Sequence, residues 1–214
     1  MQGIQMTLEL FEPPKQDNLL PFDGELQDYG LILNEQQSNQ YLDYFMQHLA
    51  WRPDEVILHG KHYVTERKVV WYGDENYQYY YSGSLKHAML WNPGLFRLKQ
   101  HIEVLTGHRF NSCLANLYEN GQQAVGWHSD DEPALVCKAN GETAIASLSF
   151  GATRTMRFKH KFKNEQNMCR LQHGQLIVMR GQTQKYWKHC ISKSSKVTEP
   201  RINLTFRYFY PSEG

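Results

Sequence analysis

Apolar and polar residues recur with a helical period in two segments of the first half of the chain. Asn34, with Gln37 three residues later, has the pattern of a capping box, which predicts that a helix begins here. Pro93 favours a first helical turn and Gly107 favours a helix end, so a second helix is predicted between them. The apolar positions with helical spacing are Tyr41, Phe45, Met46 and Leu49 in the first segment and Leu95, Leu98, Ile102 and Leu105 in the second.

The pattern changes to strand-like alternation after residue 111, and residues 55–83 are also rich in β-forming and turn residues. The dipeptide Asn120-Gly121 is typical of a two-residue hairpin turn. Short strands separated by turns, with helices placed mainly before them, predict an α+β, mainly β fold, either a β-sandwich or an open barrel backed by helices. The segments with the strand pattern are 113–118, 145–150, 155–162, 175–179, 185–191 and 202–210.

Composition narrows the class of protein. With 214 residues, 41% hydrophobic and 21% charged, the chain is an ordinary globular one that can bury a sizeable core. Its net charge of +1 gives no overall field that attracts nucleic acid, so such binding must come from local patches. The four cysteines lack C-x-x-C spacing, and no secretory signal or membrane-spanning run is visible. We therefore expect a soluble protein in a reducing, intracellular compartment.

Candidate metal ligands come from one short motif and one distant histidine. His128 and Asp130 are two positions apart, so a strand would place both side chains on one face, and His189 would arrive from another strand. Two histidines and one carboxylate suit Fe(II) and leave positions open for a cosubstrate and dioxygen. Two alternatives stay open: the same ligands suit zinc with a bound water, and one H-x-D motif among ten histidines can arise by chance.

Charged and apolar residues alternate in the last strand-like segment. Arg201 and Arg207 share one face, and their side chains could hold a small dicarboxylate, because a guanidinium can bind a carboxylate through two parallel hydrogen bonds. The alternative is an edge strand whose charged face meets solvent. Asn116 and Tyr118 share a face of an earlier strand, where they either donate to the same carboxylates or are buried structural residues. The polar positions on the arginine face are Arg201, Asn203, Thr205 and Arg207.

These residues, in this order and spacing, resemble the AlkB family of Fe(II)/2-oxoglutarate-dependent dioxygenases. The resemblance covers roughly residues 55 to 210, and the combination is more specific than any single motif. Its segments are Asn116-Leu117-Tyr118, Trp127-His128-Ser129-Asp130-Asp131-Glu132, Ile145-Ala146-Ser147-Leu148-Ser149-Phe150-Gly151, His189 and Arg201-Ile202-Asn203-Leu204-Thr205-Phe206-Arg207. The segments that look like the branch repairing alkylated DNA bases are Arg67-Lys68, Tyr72-Gly73-Asp74 and Tyr81-Ser82-Gly83.

The resemblance implies a double-stranded β-helix, or jelly roll, with supporting helices and an N-terminal nucleotide-recognition lid. We expect residues 1–24 to form a partly ordered arm and residues 25–214 a single domain, with the lid at about 55–90 and the catalytic core at about 108–210. The implied iron ligands, and so the catalytic centre, are His128, Asp130 and His189. The implied 2-oxoglutarate residues are Asn116, Tyr118, Asn203 and Thr205, with Arg201 on the distal carboxylate and Arg207 on the carboxylate beside the keto group.

The resemblance also implies an activity: oxidative demethylation of 1-methyladenine or 3-methylcytosine in DNA. It would use Fe(II), 2-oxoglutarate and O2 and release formaldehyde, succinate and CO2. The same chemistry on RNA or on a substrate other than nucleic acid, and a non-catalytic binding module, stay open. We expect a monomer without membrane contact that acts on single- or double-stranded DNA, in the cytoplasm of a prokaryote or the nucleus of a eukaryote. The implied base contacts are Tyr72, Tyr79, Tyr81, Ser82 and Glu132, of which Glu132 would favour a base made cationic by methylation.

Two further features bear on how nucleic acid would be held. His59 stands near the position where family members that act on duplexes place an aromatic wedge, so a single strand stays open as the substrate. A predicted strand beginning near residue 155 carries cations at alternate positions, which either hold phosphates or face solvent. These cations are Arg157, Lys159, Lys161 and Lys163, with Phe158 and Phe162 on the opposite face.

Overall fold

The computed structural model describes residues 17–58, 61–81, 84–137, 140 and 143–210. Most of the predicted N-terminal arm, together with His59 and Ser82, lies outside these residues. The described end of the arm is held against the rest of the protein, because Asn18 forms an isolated bridge with Gln27 and Leu20 is buried. This end of the arm is therefore part of the packed structure.

An eight-stranded sheet, antiparallel except for one short strand, forms the centre of the fold. In spatial order its strands are β1 (Glu25–Leu31), β12 (Gln175–Gly181), β9 (Thr143–Gly151), β14 (Arg201–Arg207), β7 (Ser112–Tyr118), β3 (Lys61–Gly73) and β2 (Arg52–Leu58), and β6 (Met89–Leu90) pairs in parallel with β3. Strand β14 lies between β9 and β7, so both of its edges are hydrogen-bonded. The interpretation of this segment as a solvent-facing edge strand is therefore wrong.

A second sheet of four strands packs against the large one. Its order is β11 (Gln166–Leu171), β10 (Arg154–His160), β13 (Trp187–Ile191) and β8 (Val125–His128). Ile177 and Met179 of the large sheet share one buried cluster with Met156 and Phe158 of the small sheet. Two sheets packed over a common core agree with the expected jelly roll. A separate two-stranded hairpin consists of β4 (Gln78–Tyr81) and β5 (Ser84–His87).

The two predicted helices cover the other face of the large sheet. Helix α1 (Glu35–His48) begins with the predicted capping box, in which Asn34 and Gln37 exchange side-chain to backbone hydrogen bonds of 2.9 and 3.0 Å. Helix α2 (Pro93–Thr106) ends at Gly107, whose φ of 70° is left-handed and favours a residue without Cβ. Both helix predictions are confirmed. Among the described helices, none is long and apolar enough to cross a membrane.

Alternation along β14 sends its side chains to two different places. Ile202, Leu204 and Phe206 belong to the core cluster that also contains apolar residues of α1 and α2. Arg201 and Arg207 lie on the opposite face of the strand, which looks into the space between the two sheets. The period-two pattern that was visible in the sequence therefore places a polar strand face inside the protein.

The turn at Asn120-Gly121 does not form a hairpin. The strands on either side of it, β7 and β8, belong to different sheets, so the turn carries the chain from one sheet to the other. A second loop crosses at this point, since the Gly121 N–H donates to the Val197 carbonyl at 2.8 Å. A Cβ on Gly121 would lie 2.1 Å from the Ser194 carbonyl oxygen. Close approach of that loop explains the glycine.

Three of the predicted strands extend beyond the strands that the structure contains. Strand β10 ends at His160, whose Nδ1 accepts from the Phe162 and Lys163 amides, so the predicted continuation to residue 162 is wrong. The segment predicted as a strand over 185–191 begins inside a short helix, α3 (Thr183–Tyr186), and becomes β13 only afterwards. The last strand ends at residue 207 instead of 210, and β11 has no counterpart among the predicted strands.

Candidate active site

The three predicted metal ligands meet at one end of the small sheet. His128 on β8 lies directly opposite His189 on β13, and Asp130 follows His128 by two residues. The Asp130 carboxylate oxygens lie 3.8 Å from Nε2 of each histidine, and one donor atom from each residue falls within 4.8 Å of the others. A single metal ion can therefore contact all three side chains.

Neighbouring groups orient these side chains. Nδ1 of His128 lies 2.8 Å from the Gly126 carbonyl, which can only accept, so Nδ1 carries the proton and Nε2 keeps its lone pair for a ligand. The Asp130 backbone N–H donates to Oε1 of Gln184 at 2.9 Å. Nη2 of Arg207 lies 3.2 Å from Oδ1 of Asp130, which fixes the carboxylate from the other side.

The protonation states of His189 and Asp130 are those that bind a divalent cation. Burial lowers the pKa of His189 to about 3, so its imidazole is neutral at pH 7. Burial opposes ionisation of Asp130, but the charge of Arg207 beside it outweighs burial and holds the pKa of the carboxyl below its usual value. Neutral imidazoles and a carboxylate are the donor set that suits Fe(II) and zinc.

Arg201 is a buried cation whose hydrogen bonds are incomplete. Its Nη2 donates to Oγ of Ser149 at 3.0 Å and to Oδ1 of Asn203 at 2.9 Å. Within the described residues, Nε and Nη1 are buried without a hydrogen-bond partner. Burial lowers the pKa of Arg201 to about 10, so the group stays charged at neutral pH. A charged fork with two unmet donors fits the carboxylate of a bound ligand.

A row of polar side chains runs from Arg201 towards Arg207 along the inside of the large sheet. Oδ1 of Asn203 accepts from Oγ of Ser147 at 2.9 Å, and its Nδ2 donates to Oγ1 of Thr205 at 2.9 Å. Ser147 and Ser149 were not among the predicted site residues. Their period-two spacing in the otherwise apolar β9 was a signal of a polar inner face.

One cavity of about 820 Å³ contains both the metal triad and the arginine face. Arg207 lies at the end nearer the triad, against Asp130, and Arg201 lies six positions away along the same strand face. A volume of this size is typical of small-molecule sites and leaves room for a second ligand beside a small dicarboxylate. The arrangement can therefore hold a metal, a dianion and part of a further substrate together.

Asn116 and Tyr118 line the same cavity from β7, opposite Asn203 and Arg201 in the strand register. The Tyr118 ring lies below the guanidinium of Arg201, with 5.4 Å between Cζ and the ring centroid. Oδ1 of Asn116 is already occupied, since it accepts from Nη1 of Arg67 at 2.7 Å. The two predicted residues are therefore brought to the site, with the amide of Asn116 oriented by Arg67.

A buried carboxylate joins several elements at the cavity wall, and sequence patterns gave no signal of it. Asp54 on β2 forms ion pairs with Arg67 on β3 and with Lys86 on β5, the latter at 3.1 Å. Nζ of Lys86 also donates to the Glu55 carbonyl at 2.8 Å. These contacts attach the β4–β5 hairpin to the large sheet and connect it, through Arg67, to Asn116.

The predicted base contacts fall into three groups. Tyr72 is not brought to the cavity: it is buried in the core cluster, and its hydroxyl accepts from the Ala50 N–H at 3.2 Å. Glu132 does line the cavity, its Oε2 is buried without a partner within the described part of the chain, and burial raises its pKa. The remaining candidates, whose side chains lie outside the described residues, are Tyr79, Tyr81 and Ser82.

The predicted row of four cations on one strand face is wrong. Only Arg157 and Lys159 lie within β10, whereas Lys161 and Lys163 follow its end. Lys161 pairs with Asp131 at 3.0 Å, and Lys163 pairs with Asp23 at 2.7 Å. Of the two aromatic residues predicted on the opposite face, Phe158 is buried, but Phe162 is 75% exposed and does not share its environment.

The chain is similar to known proteins over most of its length. Residues 29–207 match the family model of the 2OG-Fe(II) oxygenase superfamily. The "Alpha-ketoglutarate-dependent dioxygenase alkB homolog 3" of Homo sapiens is 38% identical over 192 residues, which cover 86% of this chain and 65% of that protein. The "DNA oxidative demethylase ALKBH2" of Mus musculus is 36% identical over 201 residues, which cover 87% of this chain and 81% of that protein.

Solved structures share the fold. The structure of OsALKBH1 superposes with a TM-score of 0.58 over 90% of this chain and 99% of that one, at 15% sequence identity. At this level of identity the likeness concerns the fold alone. The chain spans 58% to 65% of the length of the alkB homolog 3 sequences that it matches.

Proposed function

Because the chain belongs to the 2OG-Fe(II) oxygenase superfamily and, within it, to the AlkB family, we propose that it oxidatively removes methyl groups from ring nitrogens of bases in alkylated DNA. One observation carries the proposal: a set of two histidines and one carboxylate shares a cavity with a buried arginine whose donors are incompletely used. Relatives named as DNA oxidative demethylases support DNA as the class of substrate.

His128, Asp130 and His189 would hold the iron. When bound, Fe(II) together with 2-oxoglutarate and O2 supplies the oxidant that hydroxylates the N-methyl carbon, after which the unstable product loses formaldehyde. The chain itself positions the methyl carbon and keeps water out of the cavity. The hydrogen bond from His128 to Gly126 and the contact from Arg207 to Asp130 would keep the ligand atoms aimed at one point.

The two arginines would orient 2-oxoglutarate. Arg207 lies beside Asp130, so it would contact the carboxylate next to the keto group, at the metal end. Arg201 would bind the distal carboxylate through Nε and Nη1, in an orientation that Ser149 and Asn203 fix. Two guanidinium groups neutralise a dianion, which compensates for its burial. The predicted supporting residues are Asn116, Tyr118, Asn203 and Thr205.

The arginine site favours Fe(II) over the zinc alternative. A zinc site that activates water has no requirement for a dianion beside it. A buried arginine with unmet donors at one end of the cavity is costly unless an anion binds there. The combination therefore supports a metal that works together with a dicarboxylate cosubstrate.

The remaining part of the cavity would receive the base. A methyl on a ring nitrogen is hidden in a duplex, so the enzyme must bind a single strand or turn the base outward. Glu132 would face a methylated, cationic base, and that charge would offset the burial of its carboxyl group. On sequence grounds we keep Tyr79, Tyr81 and Ser82 as proposed contacts to the ring and its edge.

We also propose that the protein acts as a monomer where DNA is present, which is the cytoplasm of a prokaryote or the nucleus of a eukaryote. The support is that one copy of the chain supplies all three metal ligands and both arginines of the cavity.

The test is a demethylation assay with three matched substrates. One sequence carrying a single 1-methyladenine is prepared as single-stranded DNA, as duplex DNA and as RNA, and each is incubated with the protein, Fe(II), 2-oxoglutarate and ascorbate. Mass spectrometry should show loss of the methyl group from DNA, with succinate formed in step. The unmethylated sequence serves as the control for succinate released without substrate oxidation.

The outcomes separate the alternatives. Demethylation of RNA alone would move the proposal to that substrate. Succinate release without demethylation of any nucleic acid would point to the same chemistry on another class of substrate. An iron-loaded protein that binds 2-oxoglutarate but forms neither product would contradict the proposed activity.

A further inference from the structure

An exposed aromatic side chain with a cation above it lies directly beside the metal triad. Trp127 precedes His128, is among the residues that line the cavity and is 37% exposed. Nζ of Lys159 lies 4.6 Å from the centroid of its ring, which is cation–π distance. An exposed indole beside a binding site offers a flat apolar surface on which a ligand ring can stack.

Further cations share the outer face of the small sheet with Lys159. Residues directly opposite each other in antiparallel strands point to the same side, and Lys159 pairs with Lys188 in the register. Arg157 lies two positions before Lys159 on β10. Thr155, two positions before Arg157, pairs with Arg170 on β11. We name this surface the outer basic face, and it consists of Arg157, Lys159, Arg170 and Lys188.

The charge of the outer basic face is not neutralised by nearby acids. Within the described part of the chain, none of its four cations forms an ion pair with a carboxylate. By contrast, Lys161 and Lys163, just beyond the same strand, pair with Asp131 and Asp23. In a protein with a net charge of only +1, this face is therefore a local concentration of positive charge.

We propose that Trp127 and the outer basic face bind the nucleotides that flank the target base in a single strand. The inference rests on the proposed function, since it places the substrate strand beside the same cavity. A flanking base would stack on the exposed indole, while its phosphates would contact Arg157 and Lys188. Lys159 holds the indole in place and adds its charge. Stacking of this kind requires unpaired bases, so the site selects a single strand over a duplex.

Binding of an unmodified single strand tests the inference without any need for turnover. The probe is a fluorescein-labelled DNA strand of about 12 nucleotides, a length within the usual range of such sites, and its anisotropy is followed at several salt concentrations. Trp127→Ala should raise the dissociation constant for the strand about tenfold. In Trp127→Phe the dissociation constant should stay within about threefold of that of the unchanged protein, because a phenyl ring still stacks. The double variant Arg157→Ala/Lys188→Ala should reduce the slope of log K against log salt by about 1.4.

Two exposed residues away from this surface provide matched controls. Phe96→Ala removes an aromatic side chain on α2 that is 40% exposed, and Arg109→Ala removes a cation that is 82% exposed. Neither should change the affinity for the strand. With a methylated strand, Trp127→Ala should raise KM and leave kcat within about threefold, whereas damage to His128 would lower kcat.

Three results would overturn the inference: no binding of the single strand by the unchanged protein, the same affinity in Trp127→Ala, or an equal loss of affinity for a duplex. Failure of the proposed function is distinguishable, because demethylation can be absent while Trp127-dependent strand binding persists.

Discussion

Arg201 illustrates what the burial of a single charge implies. Its side chain is 1% exposed, yet Nε and Nη1 have no hydrogen-bond partner within the described residues. Removing a guanidinium from water costs several kcal/mol unless the group is paired and hydrogen-bonded. A ligand carboxylate at these two atoms would offset that cost, so binding of 2-oxoglutarate should stabilise the folded protein.

Replacement of Arg201 by alanine should selectively impair cosubstrate binding. We expect the dissociation constant for 2-oxoglutarate to rise about 100-fold, because one charge-assisted, two-point contact is lost. Isothermal titration calorimetry measures this directly. The control is Arg180→Ala, which removes a partly exposed arginine paired with Glu25 outside the cavity. Unchanged affinity in Arg201→Ala would exclude the proposed carboxylate contact.

Among single residues, those whose role follows from alternation could be predicted from the sequence. The even spacing of Arg201 and Arg207 places both side chains on the same face of their strand. Because this strand is paired on both edges, that face lies inside the protein. Tyr72 could not be assigned in this way, because its neighbour Trp71 lines the cavity while Tyr72 faces the core. A one-residue difference within a strand decides between the two environments.

At the scale of elements, local sequence signals predicted the two helices, whereas contacts between distant strands determine the structure at the Asn120-Gly121 turn. The capping box at Asn34 and the stop at Gly107 depend on residues within one turn of the helix, so they were readable from the sequence. The turn at Asn120-Gly121 has hairpin residues but joins two sheets, because β7 is already paired on both edges, with β3 and β14. Such competition between partners is absent from a local pattern.

Gly121→Ala tests the crossing of loops at that turn. The added Cβ would meet the Ser194 carbonyl oxygen at 2.1 Å, so the loop must shift, and overpacking of this kind costs about 1–3 kcal/mol. Urea denaturation should show this loss in the free energy of unfolding. Gly126→Ala is the matched control, because a Cβ there meets nothing within 4 Å. Equal stability of both variants would contradict the described contact.

The second helix should contribute a pH dependence through His101. Burial lowers the pKa of this histidine below its ordinary value of 6.5. Below about pH 6.5 the unfolded chain binds a proton at this histidine, whereas the folded protein binds it only at lower pH. The free energy of unfolding therefore falls as pH decreases through that window, by at most ~1.4 kcal/mol per pH unit. Urea denaturation at pH 7.5 and 5.5, as rough bounds of the window, measures how much the free energy of unfolding changes between them. This change should be smaller for His101→Gln than for the unchanged protein. An equal difference in the two proteins would contradict this expectation.

At the scale of the whole molecule, the candidate site exists because two sheets bring distant segments together. The metal ligands come from the small sheet and from the loop that follows one of its strands, and the arginines come from the central strand of the large one. Their residue types and order could be recognised in the sequence, which is why the fold and the chemistry could be predicted. The volume of the cavity and the pairing of surface cations depend on the complete fold. The outer basic face therefore could not be predicted from the sequence.

We expect iron chemistry at His128, Asp130 and His189 to be coupled to demethylation of a base. The most direct measurement compares succinate formed with bases restored, using a single-stranded DNA that carries 1-methyladenine. The two products should form in equal amounts, and only with Fe(II) and 2-oxoglutarate present, whereas His128→Ala should form neither product. Demethylation at the normal rate by His128→Ala, or restored bases without succinate, would contradict it.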